Sequence, residues 1–377
     1  MRFLAQERTT LEQFLPGLDA KLAARPLAEL ESPAAPAIAV FREAGGLGLL
    51  IPEEHRGSGA SPVDGIRIQR AIGSRSPSLA VASTMHHFSA ATMLELWKLE
   101  RGLEWMLLQA VGEGKIMLAS GFAEGVRGQG VLTPTMRGRR VDGGVVISGT
   151  KKPCSLSRSM DLLTASVVLQ RDGDEADEFA VALVPASAPG VKVEPFWGSP
   201  ILAGAESDAV ILEDVRVESD LLVTVGGAEP GELDRVESAG FLWFVLLISA
   251  SYLGMASALV ERVIAEQRGE PGLALTAAEE LEMAMSALEG TAQRLASEGA
   301  SVDLLTKALL CRYGVQDAIN RAVASAVELL GGMAFIRGEE VAYFASASRA
   351  LAFHPPGRTK NAGLLVDALR GADLIIR

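Results

Sequence analysis

Basic side chains, cysteines and aromatics are all scarce in this chain of 377 residues. Its 35 Lys and Arg are outnumbered by 47 Asp and Glu, giving a formal charge of −12. No cationic surplus is left to neutralise phosphates, which argues against a nucleic-acid partner. Only two cysteines occur, Cys154 and Cys311, far apart and in no CxxC pair. Neither a disulfide framework nor a structural zinc site is indicated, and no other metal site is expected. Aromatics make up 5% of the residues, so packing falls to the recurrent Ala and Leu, which favour helices. The opening MRFLAQERTT has mixed charges and no apolar core, unlike a signal peptide. The most apolar run, Phe241 to Met255, is short for a bilayer span and reads as a buried helix. A soluble, cytoplasmic protein without a membrane partner is expected.

With 49% hydrophobic and 22% charged residues the chain is globular, and it is long enough for two or three packed units. Three textures follow one another. Residues 1–114 read as helical, with apolar residues at three- and four-residue spacing in Leu11–Leu18, Val63–Ile72 and Ala90–Leu108. Residues 115–226 read as a β domain, a compact barrel or sandwich. Its short runs are Ile116–Ser120, Gly144–Ser148, Leu162–Leu169, Phe179–Val184, Val191–Phe196 and Ala209–Leu212. After Gly226–Pro230, residues 227–377 turn helical again, as a four-helix bundle of segments near 232–267, 276–299, 302–330 and 339–351 with a last helix near 361–371. The fold class is therefore mainly α with a central β domain.

Local motifs accompany this order. The segment from Glu43 to Pro52-Glu53-Glu54, the turn Gly121-Phe122-Ala123-Glu124-Gly125, and the strand Gly149-Thr150-Lys151-Lys152-Pro153-Cys154-Ser155 come first. Ile211-Leu212-Glu213-Asp214-Val215-Arg216-Val217 and Glu328-Leu329-Leu330-Gly331-Gly332-Met333-Ala334 follow. In sequence and order they resemble the motifs of the acyl-CoA dehydrogenase superfamily, over nearly the whole chain. The resemblance implies a helical, β, then helical-bundle fold and a bound FAD, with FMN or no flavin as the alternatives. It implies that Phe122, Ala123, Glu124, Cys154 and Ser155 border the flavin ring. Arg268, Glu328, Gly331 and Gly332 would hold its diphosphate and adenosine in a homodimer or homotetramer. Physically, the Gly-bounded turn can offer main-chain N–H groups, Ser155 a hydroxyl, and Gly331-Gly332 a close approach of phosphate to the backbone.

The sequence also departs from that family. The family's catalytic Glu, aligned on Gly357, falls on Pro356, and the alternative position in the first bundle helix falls nearest Phe244. Neither can take a proton. Ala123 replaces a Thr, Pro153 an aromatic and Ala334 a Gly, each removing one contact expected of the family. Among the four histidines, His55, His86, His87 and His354, His354 lies nearest the vacated position and is the candidate base. His86 and His87, following an apolar helix, are placed with Phe244 in the substrate pocket. His55, in a Gly-rich loop, is expected to be exposed.

Three functions fit this reading. The first is an FAD-dependent dehydrogenase of an acyl thioester, on CoA or a carrier protein, served by an electron-transfer flavoprotein. The second is a flavin monooxygenase of a small molecule on the same fold, served by a flavin reductase. The third is a non-redox descendant that binds an acyl group or metabolite.

Overall fold

The computed structural model describes residues 2–100, 104–126, 134–170, 177–224, 235–374 and 376. Its N-terminal region contains α1 (Ala5–Phe14), α2 (Leu18–Ala23), α3 (Leu27–Leu30), α4 (Pro36–Glu43), α5 (Pro62–Gly73), α6 (Pro77–Glu100) and α7 (Glu104–Gly112). Start signals are local. Ser61 Oγ accepts from the Asp64 N–H at 3.2 Å while Asp64 accepts from the Ser61 N–H at 3.1 Å, and Pro62 opens the helix with its preset φ. The single helix expected over Leu11–Leu18 is broken instead at Pro16-Gly17, where Gly17 takes φ 78°. α6 begins well before Ala90, so His86 and His87 lie inside a helix rather than after one. Their stretch is rich in hydroxyls, which hide the apolar period but are absorbed by the helix. Thr84, Ser89 and Thr92 each donate to the carbonyl four residues earlier, at 2.9, 2.9 and 2.8 Å.

Among the described residues the β strands of the middle region form one eight-stranded mixed sheet. Its strands are β1 (Leu118–Gly121), β2 (Arg137–Val141), β3 (Gly144–Cys154), β4 (Leu162–Leu169), β5 (Glu178–Pro185), β6 (Val191–Glu194), β7 (Asp208–Glu218) and β8 (Leu222–Thr224). They are ordered β6-β7-β3-β2-β4-β5-β8, with β1 parallel to β4. The sequence reading missed β2, because Arg137, Arg139 and Arg140 mask it. It forms because β3 supplies an antiparallel ladder and Asp177 and Glu178 meet Arg137 and Arg140 at 2.9 and 2.5 Å.

The C-terminal region holds α8 (Arg235–Ala265), α9 (Pro271–Glu298), α10 (Val302–Arg337), α11 (Glu339–Ala347) and α12 (Arg358–Leu369). Residues 226–230, read as the link into this region, lie outside the described residues. α8 is apolar all round and is covered by α5, α6, α9, α10 and α11. Glycines let α5 and α8 touch at the backbone: a Cβ on Gly254 would sit 2.2 Å from the Arg70 carbonyl, and one on Gly73 2.2 Å from that of Ser251. The apolar run Phe241–Met255 lies inside α8, which falls within the segment expected near 232–267. Ser238–Ala265 and Val302–Arg337 are both long and apolar enough to cross a membrane. In the first, 94% of the apolar window is buried inside the protein; in the second only 28% is.

Candidate active site

His354 follows a short 3-10 turn (Ser348–Phe353) and is held from two sides. Its Nε2 is 2.8 Å from the Tyr252 hydroxyl of α8. From α10, Arg312 donates to the carbonyls of Leu351, His354 and Pro355 at 3.1, 2.5 and 2.9 Å, and Tyr313 donates to that of Pro356 at 3.1 Å. Burial, with the Arg312 guanidinium beside it, pushes the imidazole down to about 3, so it is neutral at physiological pH. Arg312 itself is fully buried and pushed down to about 10, and therefore stays charged. No group meets Nδ1 of His354 among the described residues. The Phe244 ring lies 6.3 Å away, so the alternative carboxylate position faces the histidine that stands two residues before Pro356. Sequence reasoning missed Tyr252 and Arg312. Arg312 had a signal: it sits in the apolar stripe Leu305, Ala308, Leu309, Val315, Ile319 of α10, where a charge must find partners.

From Phe244 an aromatic row continues to Phe88 at 5.4 Å and on to Phe122 at 6.4 Å. Phe88 and Phe122 border a narrow apolar pocket between α6 and the sheet, whose other walls include Thr92, Met93, Leu96 and Val181. Phe122 therefore borders this pocket as well as belonging to the turn expected to border the flavin.

The remaining ring loci are organised by ion pairs and hydroxyls. Glu124 is not a free loop acid. It accepts from Lys151 Nζ at 2.7 Å, from the Thr135 N–H and hydroxyl at 2.8 and 2.5 Å, and from the Met136 N–H at 3.1 Å. Against burial, which pushes it up, these donors hold its carboxyl down to about 2. Cys154 is fully buried against the Ser120 carbonyl at 3.3 Å, and burial pushes its thiol up to about 12. Its side chain has no surface left for a cofactor, contrary to the expectation. Ser155 Oγ pairs with Ser207 Oγ at 2.9 Å, and the Ala123 N–H has no acceptor among the described residues. A hydroxyl pair with spare lone pairs and a free main-chain N–H are donors and acceptors that fit the polar edge of a flavin ring.

The other three histidines are placed differently from expectation. His86 is a packing residue: it meets the Leu47 carbonyl through Nε2 at 2.9 Å and accepts the Leu118 N–H on Nδ1 at 3.0 Å. His87 is buried against the edge of Phe41, with no partner for either nitrogen among the described residues. Neither lines the pocket; the adjacent Phe88 does. His55, expected in solvent, is buried because Trp97 of α6 covers it edge-on at 4.6 Å.

Burial pushes His86 down to about 4 from 6.5, and His354 to about 3. Between those values and 6.5 the folded protein binds fewer protons than the unfolded chain. Their contribution is complete above pH 6.5 and declines as pH falls, at about 1.4 kcal/mol per unit for each ring. The urea midpoint is expected to drop clearly from pH 7 to pH 5; a flat midpoint over that range contradicts neutral burial.

The expected diphosphate loci form a second cluster on the bundle. A Cβ on Gly269, next to Arg268, would strike the Leu329 side chain at 2.2 Å, so the Arg268 turn abuts the stretch holding Glu328, Gly331 and Gly332. Gly331 has φ 79° and breaks the helical path of α10. Arg268 pairs with Glu266 at 2.9 Å. No described hydrogen bond or ring contact joins this cluster to Phe122 or Ser155.

This helical, β and bundle architecture, with flavin-type loci in order along it, defines a class. The chain belongs to the acyl-CoA dehydrogenase superfamily of flavoproteins, and it is a flavin-dependent oxidoreductase. Among known proteins, the isobutylamine N-hydroxylase of Streptomyces viridifaciens is 42% identical over 381 residues, covering 100% of both chains. The crystal structure of nitrososynthase from Micromonospora carbonacea var. africana aligns with a TM-score of 0.81 at 20% identity, covering 97% of this chain and 96% of that one. FMN-bound TdsC from Paenibacillus sp. A11-2 aligns at 0.80 and 20%, covering 100% and 99%. No family model matches the chain. These relatives favour the monooxygenase reading over the acyl-thioester dehydrogenase.

Proposed function

We propose that this protein is a flavin-dependent monooxygenase that hydroxylates the nitrogen of a primary amine. The observation that carries the reading is the neutral His354 beside Phe244, at a place where a dehydrogenase needs a carboxylate and Pro356 and Phe244 supply none. The 42% identity to an amine N-hydroxylase supports the amine.

A reduced flavin would supply the two electrons that let O2 give one oxygen to the amine nitrogen and release the other as water. Ala123 N–H and the Ser155 hydroxyl would hold its ring edge. The rest falls to the chain's own groups. The nitrogen must present a lone pair, so the amine must bind as the free base. If Nε2–H donates to the Tyr252 oxygen, Nδ1 of His354 is an acceptor that orients an amine N–H. The buried Arg312 charge, 2.5 Å from the His354 carbonyl, disfavours an ammonium there. Phe88, Phe122 and Phe244 keep the surroundings apolar and exclude water.

FMN is the proposed flavin, because Arg268 already has Glu266 as its partner and FMN lacks the second phosphate and adenosine. A flavin reductase is the proposed partner, since neither amine nor O2 supplies the electrons. The proposal includes a cytoplasmic location and a homodimer or homotetramer, in which the uncovered apolar face of α10 would be buried.

The test is oxygen uptake by the purified protein with FMN, a reductase and primary amines. Amine-dependent uptake with hydroxylamine formation is expected. Uptake that no amine raises above the uncoupled background would end the reading. kcat/KM is expected to rise about tenfold per pH unit between pH 6 and 8, following the free base of an amine of pKa ~10.4. A plateau beginning near pH 6.5 would instead show His354 titrating.

A further inference from the structure

Neither His354 nor Phe244 lines the narrow pocket between α6 and the sheet, and no charged residue is among its described walls. Its three hydroxyls spend their hydrogens on main-chain carbonyls: Ser89 on Met85 at 2.9 Å, Thr92 on Phe88 at 2.8 Å and Thr164 on Ala119 at 3.0 Å. A water would find no donor there, whereas an apolar cavity stays dry and takes up apolar guests of its own size. The pocket encloses about 40 Å³, against the ~10–15 Å³ that one water-sized sphere occupies, so it fits a guest of two or three atoms. Its walls cross four neighbouring strands. They run from Val223 of the edge strand β8, through Val181 of β5 and Thr164 of β4, to Phe122, which directly follows β1. Val223 is half-buried, so that end reaches toward solvent. At the other end Phe122 immediately precedes Ala123, whose free main-chain N–H is a proposed flavin contact.

We propose that this pocket is a binding site for molecular oxygen, holding the gas between the edge of the sheet and the flavin-ring turn. O2 is uncharged, apolar and diatomic, and of the reactants in the proposed reaction it alone needs no polar partner. Transfer from water enriches such a guest about tenfold, at roughly fourfold for each methylene-sized atom buried. This rests on the monooxygenase reading above and adds the place where the oxidant waits. The amine, whose nitrogen is set at His354, does not compete for it.

The experiment follows the methyl of Met93, a wall of the pocket, by NMR of methyl-labelled, FMN-loaded protein under dissolved O2 and under xenon. Met93 should relax faster under O2 and shift under xenon, while Met255, fully buried in α8 outside the pocket, does neither. Val223→Phe, which fills the pocket from the edge strand, should abolish both effects, and Val181→Leu is a milder filling with the same expectation. In the filled variants the second-order rate constant for reoxidation of reduced FMN should fall about tenfold, the enrichment given up. Saturating n-butylamine should leave the xenon shift in place. A Met93 methyl that neither gas affects in the wild type overturns the proposal. So does a xenon shift that the amine abolishes, because the pocket then belongs to the amine. If both gases mark Met93 but no amine is hydroxylated, the amine reading fails and the gas site stands. If amines are hydroxylated and Met93 stays silent, the gas site fails alone.

Discussion

Replacement of His354 by alanine is expected to lower hydroxylamine formation by about 10²-fold, the order associated with losing the group that orients the reacting atom. The backbone should hold, because Arg312 and Tyr313 grip main-chain carbonyls rather than the imidazole. FMN affinity should change less than about threefold, since the ring loci Ala123 and Ser155 belong to the β region, while uncoupled peroxide release should rise. Tyr252→Phe should show a smaller fall, about tenfold, because its hydroxyl is the partner that orients the imidazole through Nε2. Stopped-time product assays with amine at saturation and at a tenth of KM separate loss of orientation from loss of binding. If His354→Ala retains more than a third of wild-type turnover, His354 has no part in the chemistry.

Lys151→Met is expected to destabilise the protein by about 3–5 kcal/mol, the usual consequence of leaving one member of a buried pair without the other. The Lys151 side chain is fully buried, bridging Glu124 and the Ser166 carbonyl at 2.7 and 2.6 Å, and the Glu124 side chain is only 5% exposed. Without the ammonium, burial pushes the Glu124 carboxyl upward and loosens its hold on Thr135 and Met136. Pairing the change with Glu124→Gln should recover about half of the loss, because the amide oxygen still accepts those main-chain N–H groups without a buried charge. Urea unfolding followed by far-UV circular dichroism reads both. A single-variant loss under 1 kcal/mol would show that solvent reaches the pair.

Much of the architecture was legible locally. The turn-bounded β4 run Leu162–Leu169 matches its strand end to end, and the helices expected over Val63–Ile72 and Thr276–Gly299 lie within a few residues of α5 and α9. Their periodicities and caps involve neighbours along the chain, so no distant contact was needed to infer them. β2 was not legible, since a strand bearing three arginines is made stable only by the partner that pairs with it. His55 was misplaced for the same reason: a histidine in a Gly-rich loop is exposed unless something covers it, and Trp97 does.

By itself the sequence determined the order of helical, β and helical regions, the flavoprotein loci along it, and the absence of a carboxylate at Pro356 and Phe244. The order follows from periodicity, whereas the loci and the missing carboxylate are what the resemblance to the superfamily implies, since its motifs assign a residue to each place. Only the tertiary structure decided what His354 can do. Its neutrality comes from burial and from Arg312, 42 residues away, and its Nε2 is met by Tyr252, 102 residues away. It also paired Glu124 with Lys151, buried the Cys154 side chain, and left an apolar pocket between α6 and the sheet. Burial and electrostatic partners are sums over atoms that meet only when the chain is folded, and they set pKa and pocket chemistry.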